Sequence, residues 1–575
     1  MNIKKLIPIL EWLPNYNTSL FKGDLFAGIT VGIVLIPQGI AYALIAGLPP
    51  IYGLYCALVP QVMYAIFGSS RQVAIGPVAM DSLIVATGVS TLALVGSENY
   101  ISIAILLALM VGTIQLIMGV FNLGFIVNFL SKPVITGFTS AVALIIGFNQ
   151  FRNLLGLDFV QSDQIQIILQ GIWLELGNFN YHTATIGLIS MIIIIISRRI
   201  NKKIPNALMV VILGVLLMKY FGNIFINVSI VKDIPSGLPK FGIPEFDFDL
   251  IRNLLPIALT LAMVGYLETI SIGKSLEAKQ DEYRIRPNQE LIALGISNMV
   301  GSLFKAYPSA SSFSRSAINY ESGAKTGMAA LISVVMVLIT LLFLMPLFYY
   351  LPKTVLSAII IVAVFGLVNF KEASFLWKAN QLDFCLMLST FIATLFLGIE
   401  FGIITGVGLS LIVLIFRTSR PYVVELGKVP NSNFYKNKER FEEVVLDEDV
   451  LVFRFDAQLF YANASYFRDR LEQMMDNKGS ALKLIVLDAE SINRVDSTGV
   501  EMLKERILFC QKKGIIFYLA GVKGPVRDDL FKSGILEIIS LDHFFMRANQ
   551  AVRFYKTGDK VKQEKYAKYI HQAYK

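Results

Sequence analysis

Residues 72–80 read QVAIGPVAM, and residues 307–316 read YPSASSFSRS. Both stretches sit among long apolar runs, yet neither can form one continuous helix. Gly76-Pro77 breaks the first, because proline removes a backbone donor and clashes with the turn before it. Pro308 and five serines interrupt the second. Within a bilayer, irregular backbone survives only where protein or a water-filled cavity satisfies its polar groups. The two stretches therefore predict half-helices that enter the interior of a larger helical body.

The surrounding sequence supplies that body. Apolar runs able to cross a hydrocarbon core of about 30 Å recur near 24–46, 51–67, 101–121, 125–150, 183–197 and 206–221. A second series lies near 254–273, 288–303, 327–349, 355–369, 383–399 and 401–416. Adding the broken segments near 74–91 and 311–320 gives fourteen, read as seven plus seven, with the broken segment third in each half. Interrupted segments at corresponding positions of two halves point to inverted repeats with a binding site where they meet. The predicted fold is an α-helical polytopic membrane protein, with a transmembrane domain over 1–420 and repeats at about 20–221 and 250–416.

Composition agrees with lipid as the main solvent. Of 575 residues, 55% are hydrophobic and 16% charged, against about a quarter charged in soluble domains. A net charge of +9 would suit a nucleic-acid partner, but its position argues otherwise. Basic residues such as Arg71, Arg198, Arg199, Lys202, Lys203, Arg417 and Arg420 follow even-numbered spans. That is the positive-inside pattern with both termini cytoplasmic. The loop 152–182, predicted outside, holds Arg152 as its only basic residue, while 222–253 mixes Lys232 with acids such as Asp233. Pro8, Glu11 and Pro14 interrupt any cleavable signal peptide. Three cysteines and three histidines lie too far apart for a disulfide framework, a metal site or a Ser-His-Asp constellation. No cofactor, metal or enzymatic centre is expected.

After Arg420 the character changes. Residues 421–446 are polar, contain Pro421 and Pro430, and read as a linker. Beyond it, strand candidates 449–456, 482–489 and 514–521 alternate with helix candidates 464–476, 498–513 and 524–533, predicting a small α/β domain over 447–555. The basic end, 556–575, reads as a solvated tail.

The chemistry belongs at the breaks. Two half-helices facing each other would aim unpaired N–H groups and positive dipole ends at one point, which suits an anion. Ser311, Ser312 and Ser314 would add hydroxyls and Arg315 a fixed cation; close packing of serines in a kinked helix is the bland alternative. Glu268, inside the apolar eighth span, should either hold a proton or pair with Arg315, and so carry a coupling H⁺ or Na⁺ or merely tie two helices. Asp81 is a weaker candidate, equally suited to a structural hydrogen bond. Pro37-Gln38 and Tyr42 supply a break, an amide and an aromatic wall in the first span. In VDSTG (495–499), Asp496, Ser497 and Thr498 start a helix, either as a plain cap or as a regulatory turn that accepts phosphate or a ligand.

At these residues the chain resembles the sulfate permease (SulP/SLC26) family of anion transporters. The likeness rests on PIYGLYCALVPQVMYAIFGSSR (50–71), GDLFAG (23–28), LIPQGIAYA (35–43), SKPVITGF (131–138), NQELIALG (288–295) and SSFSRSAINY (311–320). It departs at Cys56 and Met63. VDSTG is similar to the turn of the STAS domain that ends such transporters. The resemblance implies a core domain moving an anion against a gate domain, elevator-fashion, in a homodimer. It maps an anion site onto Gln38, Tyr42, Val78, Ala79 and Ser312, Phe313, Ser314 and Arg315, and a coupling carboxylate onto Glu268. It implies sulfate:proton symport first, with sodium-coupled bicarbonate or dicarboxylate uptake, or anion exchange, as alternatives. A membrane sensor or scaffold signalling through the STAS domain is the alternative of another class. The Ile/Lys/Asn-rich composition suggests a bacterial inner membrane.

Overall fold

The computed structural model describes residues 6–125, 131–200, 206–225, 227–232, 237–245, 247–277, 279, 283–366 and 368–558, without the side chains of Arg198 and Glu400. The chain forms two units, Met1–Ser410 and Leu411–Lys575.

Every expected apolar segment of the first unit holds helix. Among the described residues, eight helices are long and apolar enough to cross a membrane. The first, α1 (Thr18–Ile45), starts where Asn17 accepts the Leu20 amide at 3.1 Å, an N-cap that satisfies one of the otherwise unpaired first-turn donors. It runs unbroken through Pro37, which corrects the expected break there. Loss of one amide donor is tolerated mid-helix when neighbouring segments pack around it, and this stretch is fully buried. The second span is itself divided, Pro50–Tyr55 then Val59–Phe67.

The broken third segment is a two-residue strand, β1 (Ile75–Gly76), followed by α2 (Ala79–Ser90). Then come α3 (Glu98–Val120), capped by Ser97, and the helices Lys132–Asn149, Tyr181–Ile200 and Asn206–Phe221. The fifth span thus starts at Lys132 rather than 125; Ser131-Lys132-Pro133 places proline in the first turn, where its missing N–H is harmless. The second half repeats the order: α4 (Phe248–Glu277), α5 (Pro287–Leu303), then β2 (Ala310–Ser311) and α6 (Phe313–Glu321), and α7 (Met328–Ile339). Lys353–Phe365, Gln381–Leu397 and Ile399–Ser419 complete it. Two helices of at least 10 residues in this unit were not anticipated, Ile165–Glu175 and Phe370–Ala379. Both are too short to span and expose a tryptophan, Trp173 and Trp377.

Packing is reciprocal between the halves. α3, fourth in its half, packs on α4 and α5, first and second of the other; α7, fourth in the second half, packs on α1 and on Val59–Phe67, first and second of the first. Likewise the fifth helix of the first half, Lys132–Asn149, packs on Gln381–Leu397, and its sixth, Tyr181–Ile200, on Lys353–Phe365. Such exchange of partners is what a pseudo-two-fold axis between inverted repeats requires. Small residues permit the closest approach: a Cβ on Gly112 of α3 would stand 2.5 Å from the Met299 amide of α5.

The second unit is built on a six-stranded sheet ordered β4-β3-β5-β6-β7-β8. The strands are β3 (Val423–Lys428), β4 (Tyr435–Asn437), β5 (Val450–Phe455), β6 (Leu484–Asp488), β7 (Ile516–Ala520) and β8 (Phe544–Phe545). β5 to β8 are parallel, while β3 runs antiparallel to β4 and β5. The parallel strands are apolar except for Arg454 and Asp488 near their ends, because both faces are covered. Phe453, Ile485, Leu487 and Phe517 face the helices Ala464–Lys478, Ser497–Lys512 and Gly524–Lys532; Val452, Leu484, Val486 and Tyr518 face the last helix, Ala548–Thr557.

β3 and β4 lie in 421–446, so the expected linker contributes two strands to the sheet. Its polar letters misled: Val423, Val424 and Leu426 are buried, with Val423 opposite Phe455. The expected basic tail lies mostly outside the described residues, as do Lys202, Lys203 and Asp233.

Candidate anion-binding site

The two breaks meet. β1 and β2 pair antiparallel, Ile75 opposite Ser311 and Gly76 opposite Ala310, so the strand before each half-helix is tied to its counterpart. Side bonds extend the tie: the Ser312 amide donates to Ala74 O (3.1 Å), the Ala74 amide to Ser316 Oγ (2.9 Å), and Asn319 Nδ2 to Gln72 O (2.9 Å). Directly after this ladder α2 and α6 begin, with Val78 and Ser312 as N-caps, and neither has a side-chain cap. The first-turn amides of both helices are therefore open to a ligand, at the positive end of each dipole.

Arg315, in the first turn of α6, is wholly buried. Its Nη1 donates to Gln38 Oε1 of α1 at 3.3 Å, while Nε and Nη2 have no partner. Buried guanidinium donors are normally all satisfied, so two idle ones mark a place for an acceptor that the protein itself does not provide. Tyr42, Tyr307 and Glu268 are the titratable groups that neighbour this guanidinium. Gly76 makes room for it: its φ of +151° suits glycine, and a Cβ there would stand 3.3 Å from Arg315 Nη2.

The expected residues thus gather. Gln38 and Tyr42 are buried on α1, Ala79 and Ser312 are buried at the two helix starts, and Val78 is half-buried. Ser314 Oγ lies 3.3 Å from Ser312 Oγ, and Phe313 and Ser314 are exposed, leaving the start of α6 open on one side. Ser311 is occupied otherwise, accepting from Thr269 Oγ1 at 2.9 Å.

Glu268 forms no ion pair with Arg315, and its buried Oε2 has no partner. Asp81 is buried with Oδ1 likewise unpartnered, so no structural hydrogen bond fixes that oxygen.

Sequence reasoning missed the wall behind these groups. Tyr307 Oη shares a hydrogen bond with Ser82 Oγ (3.0 Å), and its backbone both donates to and accepts from Cys56 Sγ (3.1 and 3.2 Å). Gln115 and Asn298 buttress β2 from behind, through Ser309. Cys56 had been noticed only as a departure from a motif.

In the second unit, Asp496 is the N-cap of Ser497–Lys512, accepting from the Gly499 amide (2.8 Å) and the Tyr461 amide (3.0 Å). Ser497 and Thr498 are exposed in its first turn. Asp488, at the end of β6, is pushed above the ordinary carboxylate range, mainly by burial.

Discontinuous helices meeting within a twofold-repeated helical bundle define a multi-pass membrane transporter, not an enzyme. The chain belongs to the sulfate permease family: that family's model matches residues 21–390, and the STAS domain model matches 443–551. It is 39% identical over 569 residues to sulfate transporter 4.1, chloroplastic, of Arabidopsis thaliana, covering 96% of this chain and 82% of that protein. With high affinity sulfate transporter 2 of Stylosanthes hamata it shares 31% over 96% and 87% of the two chains. The structure of the murine Slc26a9 anion transporter in its inward-facing state superposes with a TM-score of 0.89 at 26% identity, covering 96% of this chain and 94% of that one.

Proposed function

We propose that the protein is a secondary active transporter that carries an inorganic oxyanion, sulfate first, in symport with protons. The observation that carries this reading is Arg315, buried with two idle N–H donors beside two uncapped helix starts. An oxyanion offers several acceptor oxygens and negative charge, and two half-helices at roughly half an elementary charge each plus one guanidinium supply matching donors. The anion is held by Arg315, the amides after Val78 and Ser312, and the hydroxyls of Ser312 and Ser314, with Gln38, Tyr42, Ala79 and Phe313 as walls. The names of the relatives favour sulfate among oxyanions.

Glu268 is the coupling group: protonated, it leaves Arg315 to the anion; ionised, it competes for the same guanidinium. Movement is elevator-like. The first four segments of each half pack together as a core and the last three as a gate, so the core slides along the gate carrying the site. The protein works as a homodimer in a bacterial cell membrane, with both termini and the STAS domain cytoplasmic, and the 495–499 turn as a regulatory surface.

The test is sulfate uptake by the purified chain in proteoliposomes. Uptake should rise with an inwardly directed proton gradient, and Glu268→Gln should abolish that dependence. Gradient-driven uptake that survives the substitution would remove Glu268 from coupling. Counterflow against a panel of anions fixes the substrate, and no accumulation of any anion would refute the transport reading.

A further inference from the structure

Glu268 is not the only buried carboxyl near the two helix starts. Asp81 stands in the first turn of α2, 2% exposed, with Oδ1 unpartnered. Its Oδ2 is 3.9 Å from where a Cβ on Gly265 would stand, and Gly265 lies one turn before Glu268 on α4. Glu268 from α4 and Tyr307 from the loop before β2, which shares a hydrogen bond with Ser82 next to Asp81, are the titratable neighbours of Asp81. Both also neighbour Arg315 of α6, which Tyr42 of α1 approaches, and Gln115 of α3 approaches the same Gly265. Asp81 and Glu268 act on each other, and Arg315 is the cation that acts on Glu268.

Two neighbouring buried carboxyls, each with a bare oxygen and with the one cation beside Glu268, cannot both be ionised while a dianion occupies the same place. A carboxylate at the start of α2 also occupies the positive dipole end that the anion needs. We infer that Asp81 is a second proton-carrying group of the coupling site, so that each sulfate crosses with two protons. This rests on the proton-symport reading of the same site and goes beyond it by fixing the stoichiometry and naming the second carrier.

Charge balance favours it. Empty, with both carboxyls ionised beside Arg315, the site carries one net negative charge. Loaded with a dianion and a proton on each carboxyl, it carries one net negative charge again. The carrier then crosses the membrane in both directions with the same charge, and one cycle moves no net charge. The two protons bind from one compartment and leave with the anion in the other, restoring both carboxylates.

The experiment uses the full chain in proteoliposomes with labelled sulfate. The sulfate gradient that nulls net flux is measured against an imposed pH difference, with and without a potassium diffusion potential. In the wild type, a tenfold proton gradient should balance a hundredfold sulfate gradient, and the potential should leave flux unchanged. In Asp81→Asn the balance should fall to tenfold, and an inside-negative potential should slow uptake. Asp81→Glu should restore the two-proton balance. A wild type that balances at one proton overturns this inference while leaving proton symport intact, and needs no variant to fold. An Asp81→Asn protein still at two protons overturns it also. Uptake indifferent to the proton gradient in the wild type overturns proton symport itself, and this inference with it.

Discussion

Asp24 and Glu290 are as deeply buried as Asp81, yet their surroundings differ in kind. Asp24 accepts from the Lys325 amide (2.7 Å), the Thr326 amide and hydroxyl (3.0 and 2.5 Å) and Tyr16 Oη (3.2 Å). Glu290 accepts from Tyr64 Oη (2.5 Å), the Ser69 amide and hydroxyl (2.8 and 2.6 Å) and the Ser70 amide (3.2 Å). Each closes a seam between the two halves of the chain. At the centre, by contrast, Asp81, Glu268 and Arg315 keep buried polar atoms that bond to nothing. A buried charge that is fully bonded holds structure, because removing it strands its partners. One that is left partly bare must exchange something, since an idle buried charge is otherwise only a penalty.

The contrast breaks most readily at Glu290. Glu290→Ala strands four donors, and at about 1.5–3 kcal/mol for each bond to a charged group it should destabilise the protein by at least ~3 kcal/mol. Thermal unfolding in detergent reads this, and an unchanged midpoint would erase the distinction. Arg315→Gln should do the reverse: uptake falls more than tenfold, while the unfolding midpoint holds or rises because a half-bonded buried cation has gone. Loss of stability comparable to that of Glu290→Ala would make Arg315 a structural residue.

The second unit offers a calibrated middle. Asp496→Ala removes an N-cap and should lower stability by about 1 kcal/mol, whereas Ser497→Ala, exposed and unbonded, should stay within about 0.5 kcal/mol. Denaturant titration of the STAS transition separates them. The smallest effect is at His543, whose burial depresses its pKa below 6.5. The unfolded chain then binds the proton first, so stability is full above about pH 6.5 and falls as pH drops below it. His543→Gln should flatten that acid-side slope, and an unaltered slope would assign it elsewhere.

What the sequence disclosed follows the same division. Gly76-Pro77 and Pro308 act covalently on their own backbone, so the breaks were legible. Arg315 and Glu268 stood out because charge in an apolar run has few explanations. Asp81 was visible but ambiguous, because only three-dimensional packing tells whether a carboxylate has donors. Tyr307 and Cys56 gave no sign of their contact: it joins residues 251 apart, and local sequence does not report a pairing between two distant turns. Ile165–Glu175 and Phe370–Ala379 escaped as too short for a span. β3 escaped because Val423 to Lys428 mixes apolar residues with two charged ones, Glu425 and Lys428, and its place was decided by pairing with β5.

The two-residue ladder between β1 and β2 has a consequence for how such a protein diversifies. Its bonds are made by main-chain atoms, so they are indifferent to which side chains the ladder carries, provided Gly76 keeps its conformation. The frame that aims two helix starts at one point can thus be inherited intact while the residues lining it drift. Side chains beside it, such as Gln38, Tyr42 or Ser314, can change without rebuilding the mount that holds the two helix starts together.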